Sequence, residues 1–491
     1  MSSEISRRKF LKTGAIAAVG LSIVPSTVLG KKFGHVSPSD KLNIAGVGIG
    51  GRGFHVLKGV ESQNMVGLCD VDWKYSQRVF DYFPKAKKYY DYRQMFDELG
   101  KSIDAVVIGT ADHTHAIIAS QAITMGKHVY CEKPLTHSVY ESRLLTNLTK
   151  KYNVATQMGN QGSSDAGVRQ ICDWIWNGEI GEVTKVEAFT DRPIWPQGLP
   201  RPTRVDKIPD TLNWDLFTGP APERPYNEIY HPWNWRGWWD YGTGALGDMA
   251  CHILHPVFKG LQLGYPTKVQ GSSTMLLTEC APNAEMVKYT FPARDNMARV
   301  AMPEVEVTWY DGGLQPPRPA GVAAGLDLNN GGGGVIFHGT KDTLICGCYG
   351  KDPWLVSGRT PVAPKKCREV TLTHEMDWVR ACKEDSDDRI LTASPFQEAG
   401  PFNEMVVMGV LAVRLQYLNQ ELHWDGPNMR FTNIPENASF QSIVEDGFNI
   451  VDGHPTFNKK MTDPINARAF AEQLIKHNYR TGWNLPDMPS L

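Results

Sequence analysis

Short apolar runs alternate with amphipathic stretches over the first third of the chain. Residues 41–47, 65–69, 104–109 and 128–131 are apolar and bounded by turn residues, the pattern of parallel strands buried on both faces. Helical periodicity falls between them, over 51–59, 74–83, 94–99, 114–125 and 139–151. This strand–helix alternation predicts an N-terminal doubly wound parallel sheet over residues 41–156. Beyond residue 157 the texture changes. Segments 183–189, 267–271, 286–291 and 305–310 alternate polar and apolar positions, the period of an antiparallel sheet with one covered face. Helices are predicted at 375–384, 397–418 and 464–478. Residues 191–240 hold nine prolines and six tryptophans with few strand or helix signals, and residues 312–334 read as a long Gly/Pro loop. The expected fold class is therefore α/β: a Rossmann domain over 41–156, then an α+β domain over 157–491 with an open, mainly antiparallel sheet.

The first expected strand ends in Gly46-Val47-Gly48-Ile49-Gly50-Gly51 and a helix follows. Gly46, Gly48 and Gly51 fit the G-x-G-x-x-G spacing, in which a dinucleotide pyrophosphate rests on backbone amides and a helix N-terminus. A strand before the loop and a helix after it make the match more specific than the spacing alone. Asp70 closes the second strand, where a carboxylate accepts from ribose hydroxyls and repels a 2′-phosphate. NAD is thus the expected cofactor. Asp72 is an alternative ribose partner, and Arg52 leaves NADP open.

Composition narrows the partners. The chain has 491 residues, with 51 Lys and Arg against 53 Asp and Glu. Such balance gives no electrostatic footprint for nucleic acid or an anionic membrane surface. Nine cysteines match neither a disulfide framework nor a zinc site, and Cys346/Cys348, the one close pair, lacks further ligands. No metal is expected. The N-terminus adds a location. Arg7-Arg8 precede Lys9-Phe10-Leu11-Lys12, and a short, weakly apolar stretch over 14–24 runs to Pro25. That pattern resembles a twin-arginine export signal, with residues 1–30 as the signal and 31–40 as a linker. A periplasmic or otherwise exported protein follows, carried folded with its cofactor inside and without a membrane span in the mature form.

Three further motifs carry chemistry. Glu132-Lys133-Pro134 follows the strand at 128–131, Asp112-His113-Thr114-His115 follows the strand at 104–109, and Asp248 stands four residues before His252. On a helix that last spacing puts both side chains on one face. Oxidation of an alcohol needs a base for the hydroxyl proton, and histidine titrates near neutrality. A lysine beside the same oxygen stabilises developing alkoxide charge.

Together with the glycine loop, these motifs resemble the glucose–fructose oxidoreductase/inositol dehydrogenase (Gfo/Idh/MocA) family over about residues 41–430. The resemblance implies Lys133, Asp248 and His252 as catalytic residues. Expected cofactor contacts are Gly46, Gly48, Ile49, Gly51, Arg52, Asp70, Thr110, His113, His115, Glu132 and Lys133. His255 is expected to be structural. Expected substrate contacts are Asn160, Gln161, Trp235, Arg236 and Trp238, because amides bond sugar hydroxyls and indole rings suit pyranose faces. The implied function is oxidoreduction of a sugar or glycoside hydroxyl with tightly held cofactor. The alternatives are redox-neutral, NAD-dependent glycoside cleavage of the family 109 type, or 3-oxidation followed by elimination. A homo-oligomer built on the open sheet face is also implied.

Overall fold

The apolar run at 43–47 becomes a central strand because helices cover both of its faces. The structure, a computed structural model, describes residues 40–294 and 302–490. Strands β1 (Asn43–Val47), β2 (Asn64–Cys69), β3 (Lys87–Tyr89), β4 (Ala105–Ile108), β5 (His128–Cys131) and β6 (Thr156–Met158) form one parallel sheet in the order β3-β2-β1-β4-β5-β6. Helices α1 (Arg52–Gly59), α2 (Trp73–Tyr82), α3 (Tyr92–Leu99), α4 (Asp112–Thr124) and α5 (Val139–Tyr152) connect them. The Rossmann expectation is met. β3 is too short and polar to have been expected. β6 moves the domain boundary, placed at 156 from the change of texture, to the end of the sixth strand. The proposed signal and almost all of the linker lie outside the described residues.

Helix starts follow local chemistry. Ser138 and Glu141 form a reciprocal capping box at α5, which satisfies two otherwise orphaned amides. Asp72 caps α2 by accepting from the Lys74 and Tyr75 amides. α4 lacks an amphipathic pattern because it is buried nearly all round, from Asp112 to Ile123.

The second part begins with α6 (Ala166–Trp176) and β7 (Val183–Thr190), followed by short helix α7 (Trp214–Thr218), then α8 (Gly244–Ile253) and α9 (His255–Gly260). Strands β8 (Lys268–Ser273), β9 (Glu285–Phe291), β10 (Val305–Tyr310), β11 (Gly333–Gly339), β12 (Thr343–Gly347), β13 (Trp354–Leu355), β14 (Leu422–Asp425) and β15 (Arg430–Phe431) join β7 in a sheet ordered β13-β12-β11-β7-β10-β9-β8-β14-β15. β10 runs parallel to β7 and the other pairs are antiparallel. β11 escapes sequence reading because it opens with Gly333 and Gly334. A Cβ at Gly333 would run into the Phe189 carbonyl of β7, so the close pairing of the two strands selects the residue that weakens the strand signal. Helices α10 (His374–Cys382) and α11 (Phe396–Arg414) follow, then a separate exposed ribbon of two strands (Ile443–Val451 and His454–Met461) and a final helix (Ala467–Ile475).

α11 joins the two domains. It packs on β8 of one and on α5 of the other. Its Asn403 is fully buried; its Oδ1 accepts from the Leu135 amide at 2.9 Å and its Nδ2 donates to Thr136 Oγ1 and Ser142 Oγ, each at 2.9 Å. The loop that carries Lys133 is anchored through this amide. Asn403→Leu leaves the Leu135 amide unpaired in the interior, and we expect a loss of about 2–3 kcal/mol, read as a lower urea midpoint with an unchanged slope.

Candidate functional site

The loop after β1 takes its shape from three glycines. Gly48 has φ +73°, and a Cβ there would strike the Thr110 backbone. A Cβ at Gly50 would strike the Tyr75 ring, and one at Gly53 would strike the Gly48 carbonyl. Gly51 by contrast has room, with the nearest atom, Tyr75 Oη, at 3.2 Å. The fingerprint is therefore Gly48-x-Gly50-x-x-Gly53, two residues later than expected. β1 runs through Gly46 to Val47, so the tight turn starts at Gly48, and close packing of helix on strand falls on Gly53.

Asp70 braces this loop. Its Oδ2 accepts from the Ile49 amide at 2.8 Å and the Gly50 amide at 3.0 Å, while Oδ1 accepts from the Asp72 amide at 3.0 Å. Burial raises its pKa, and these amide bonds oppose the rise. Each carboxylate oxygen has two lone pairs, so the brace and a ribose contact are compatible. Asp72 is already committed, to its helix cap and to His231 Nε2 at 3.0 Å. Ile49 contributes its amide to the brace, its side chain being buried.

One cavity runs from this loop into the second domain, enclosing about 1600 Å³ including its open mouth. Gly48, Asp70, Thr110, His113, Glu132, Lys133, Gln161, Trp235, Arg236, Asp248 and His252 all line it. Two expected cofactor contacts take other roles. Arg52 lines the cavity, but its Nε donates to Glu132 Oε1 at 3.3 Å and its guanidinium faces Glu375 at 3.9 Å. That pairing removes the reason for holding NADP open. His115 is off the wall and buried, with Nδ1 2.7 Å from the Pro134 carbonyl and Nε2 3.1 Å from the Thr110 carbonyl. It ties the loop of Thr110 to the loop of Lys133. His113 reaches the wall, with Nε2 2.9 Å from the Phe217 carbonyl and Nδ1 3.3 Å from the Tyr241 carbonyl. Burial pushes both rings down to about 4, so both are neutral.

Lys133, Asp248 and His252 meet where the domains face one another. Lys133 follows β5, and Asp248 and His252 share one face of α8. Lys133 Nζ donates to Asp248 Oδ1 at 2.7 Å and to the Asp248 carbonyl at 2.9 Å. Arg236 Nε donates to the same Oδ1 at 3.2 Å. Burial alone would raise the Asp248 carboxyl, but Lys133 and Arg236 overcome it and hold the group at about 2. Burial, then the positive Lys133, push the His252 ring well below its usual value. Its Nδ1 is sealed from solvent without a hydrogen-bond partner among the described residues.

Sequence reasoning missed Tyr349, whose ring lies 4.6 Å from that of His252. Tyr349 sits at φ +64° in the turn after β12, inside the stretch whose strands were hidden. It also missed Trp233, half exposed on the cavity wall and packed against Arg236, and Trp483, which reaches the wall from the C-terminal segment.

Two expected substrate contacts do not reach the cavity. Trp238 is buried in an aromatic cluster, its ring 4.8 Å from that of Tyr230. Asn160 is buried beneath the wall, its amide unpartnered among the described residues, whereas Gln161 reaches the wall and donates to Glu132 Oε1 at 3.3 Å. His255 is structural as expected, 2.9 Å from Glu398, which also pairs with Lys259. Among the described residues no group of three or more His, Cys, Asp or Glu side chains is placed to hold a metal.

Comparison with known proteins agrees with this geometry. Residues 41–160 match an oxidoreductase family's NAD-binding Rossmann fold, and residues 176–291 match the C-terminal alpha/beta domain of the same family. An inositol 2-dehydrogenase from Salmonella typhimurium is 31% identical over 149 residues, 29% of this chain and 43% of that protein. A glycosyl hydrolase family 109 protein from Shewanella baltica is 27% identical over 213 residues, 38% of this chain and 45% of that protein. The chain thus spans less than half the length of these curated relatives. In fold it is similar to the WlbA dehydrogenase from Bordetella pertussis, solved with NADH and UDP-GlcNAcA, with a TM-score of 0.52 and 15% identity, covering 78% of this chain and 99% of that one. The N-terminal domain is an NAD-binding Rossmann domain.

Asp248→Asn leaves Lys133 and Arg236 crowded without their anion, and we expect a loss of about 3–5 kcal/mol near neutral pH. The carboxyl is depressed from 3.8 to about 2, so its stabilisation is complete above the unfolded-state value and disappears as pH falls through the folded one. The gap in urea stability between wild type and variant should therefore be full above pH 4 or so and close towards pH 2.

Proposed function

We propose that this chain oxidises a hydroxyl of a sugar or glycoside, or reduces the corresponding ketone; residues 41–160 and 176–291 match the NAD-binding and C-terminal domains of the Gfo/Idh/MocA oxidoreductase family. The observation that carries this reading is the neutral His252 beside the Lys133–Asp248 pair, on the same cavity as the glycine loop. The cradle fits the cofactor: Gly48, Gly50 and Gly51 present bare backbone to the cavity, and Asp70 holds the loop in shape through its Ile49 and Gly50 amides. NAD, when bound, supplies the hydride acceptor.

The remaining chemistry belongs to the chain. Nε2 is the His252 nitrogen left open to the cavity, and it takes the hydroxyl proton as the alcohol is oxidised. Lys133 has three ammonium protons; Asp248 receives two through its carboxylate and carbonyl, and the third steadies the substrate oxygen. Asp248 keeps Lys133 charged and in place. Burial, and then the positive Lys133, keep His252 deprotonated, so the base is ready at neutral pH.

The similarity to family 109 proteins favours one rival reading, in which the hydride returns to the sugar and a glycosidic bond is cleaved without net oxidation. The deciding experiment incubates purified protein with chromogenic glycosides and no added NAD, and separately with free sugars plus NAD. NADH formation and an oxidised sugar support the oxidoreductase. Aglycone release with unoxidised sugar supports the glycosidase.

Lys133→Met and His252→Ala should each lower kcat by about 10²–10⁴-fold, with NADH still bound by fluorescence titration. In Lys133→Met the loss of positive charge raises the His252 pKa, so the acid limb of the residual kcat/KM profile should move to higher pH. Wild-type turnover in either variant would refute the assignment.

Export forms part of the same reading. It rests on Arg7-Arg8 and the apolar stretch that follows. Replacing both arginines by lysine should leave the protein in the cytoplasm, read by fractionation, whereas unchanged export would rule out the twin-arginine route.

A further inference from the structure

We infer that the sugar taken by this site is an acid, its carboxylate received by Arg236. The inference rests on the oxidoreductase reading and adds the substrate's charge. Arg236 packs against two indoles, its guanidinium carbon 3.7 Å from the Trp233 ring centroid and 4.4 Å from that of Trp235. Nε donates to Asp248 Oδ1 at 3.2 Å and Nη1 to the Trp233 carbonyl at 3.0 Å. Nη2 makes no hydrogen bond among the described residues. The two indoles shield the guanidinium from water, and Nη2 is the part of it left for a ligand. Arg236, Trp233 and Trp235 line the same cavity as Lys133 and His252.

The charges on this wall do not cancel. Lys133 and Arg236 are positive, Asp248 is the single carboxylate between them, and His252 is neutral. Arg52 and Glu132 balance each other next door. Asp112 lies behind the wall, bonded to Thr243 Oγ1 at 2.8 Å, and burial raises it to about 7, so it offsets the excess only in part. Oxidised nicotinamide is itself cationic. Asp70 and Asp91 also line the cavity, so the surplus is confined to the Lys133–Arg236 corner, and a neutral sugar seated there gains nothing from it. A carboxylate offsets the surplus and accepts charge-assisted bonds from a guanidinium already fixed in place, which loses little freedom on binding.

The test uses the full chain saturated with NADH and two matched probe pairs, D-glucuronate against D-glucose and D-galacturonate against D-galactose. Binding is followed by calorimetry and by tryptophan fluorescence, to which Trp233 and Trp235 contribute. The acids should bind at least about tenfold more tightly at low salt, and the advantage should shrink as salt rises. Arg236→Met should abolish the preference, taking the ratio to about one, while Arg236→Lys retains part of it; the ratio is the informative quantity, since a purely structural arginine would weaken acid and neutral probes alike. Equal binding of acid and neutral sugars by the wild type, or a preference that survives Arg236→Met, overturns the inference. If neutral sugars bind equally well and are oxidised with NADH formation, the oxidoreductase reading stands without it. If none of the four sugars binds while NADH does, both fall.

Discussion

The Lys133–Asp248 pair is the constraint around which the site is organised. One partner stands at the carboxyl end of the parallel sheet and the other on the first long helix of the second domain's cleft wall, with side chains 13% and 15% exposed. A buried ion pair repays its desolvation only when its remaining hydrogen-bonding capacity is also met. Here the Asp248 carbonyl and Arg236 supply those contacts. The pair therefore ties the two domains together at the cavity and adds to the electrostatics of its neighbours. Burial, then the positive Lys133, keep His252 neutral; with Asp248 negative, Lys133 stays positive.

Holding Lys133 to hydrogen-bond accuracy requires support from outside the cavity. His115 clamps the Pro134 carbonyl from within the Rossmann domain, and Asn403 clamps the Leu135 amide from α11 of the second. Glu132, one residue before Lys133, is fixed by Arg52 and Gln161. The short loop after β5 is thus gripped from three directions, by neutral as well as charged partners. Misplacement by an ångström is costly for catalysis, which gives these remote contacts a functional consequence beyond stability.

What the sequence disclosed follows from which signals are local. Buried parallel strands, the Glu-Lys-Pro segment and the Asp248/His252 spacing are local patterns, and they placed the sheet and the three charged or titratable groups correctly in space. The glycine frame slipped by two because five glycines crowd residues 46–53, and spacing alone does not say where the strand ends. Deciding between frames needs the collision of a Cβ with Thr110 or Gly48, a tertiary fact. Arg52 could not be placed for the same reason, since its partners Glu132 and Glu375 lie 80 and 323 positions away in the chain. β11 and β12 were hidden by their glycines, and with them Tyr349. Trp235 and Trp238 are indistinguishable as residue types; only packing sends one to the cavity and the other into the aromatic cluster.

The division between what was legible and what was not has a physical counterpart in the site. The glycine loop, Lys133, Asp248 and His252 sit at strand ends and on a helix, where backbone hydrogen bonding fixes them and leaves a sequence signature. Trp233, Trp235, Arg236 and Tyr349, which line the same cavity, sit in the loop-rich 191–240 segment and in the turn after β12, where no periodicity exists to be read. Loops carried by a rigid scaffold change residues without disturbing the core. A fold arranged this way fixes the groups at strand ends and on the helix while its loops vary around them. In this chain one such loop residue is Arg236, packed against two indoles and tied to Asp248, so the loop-rich segment and the Lys133–Asp248 pair meet through one side chain.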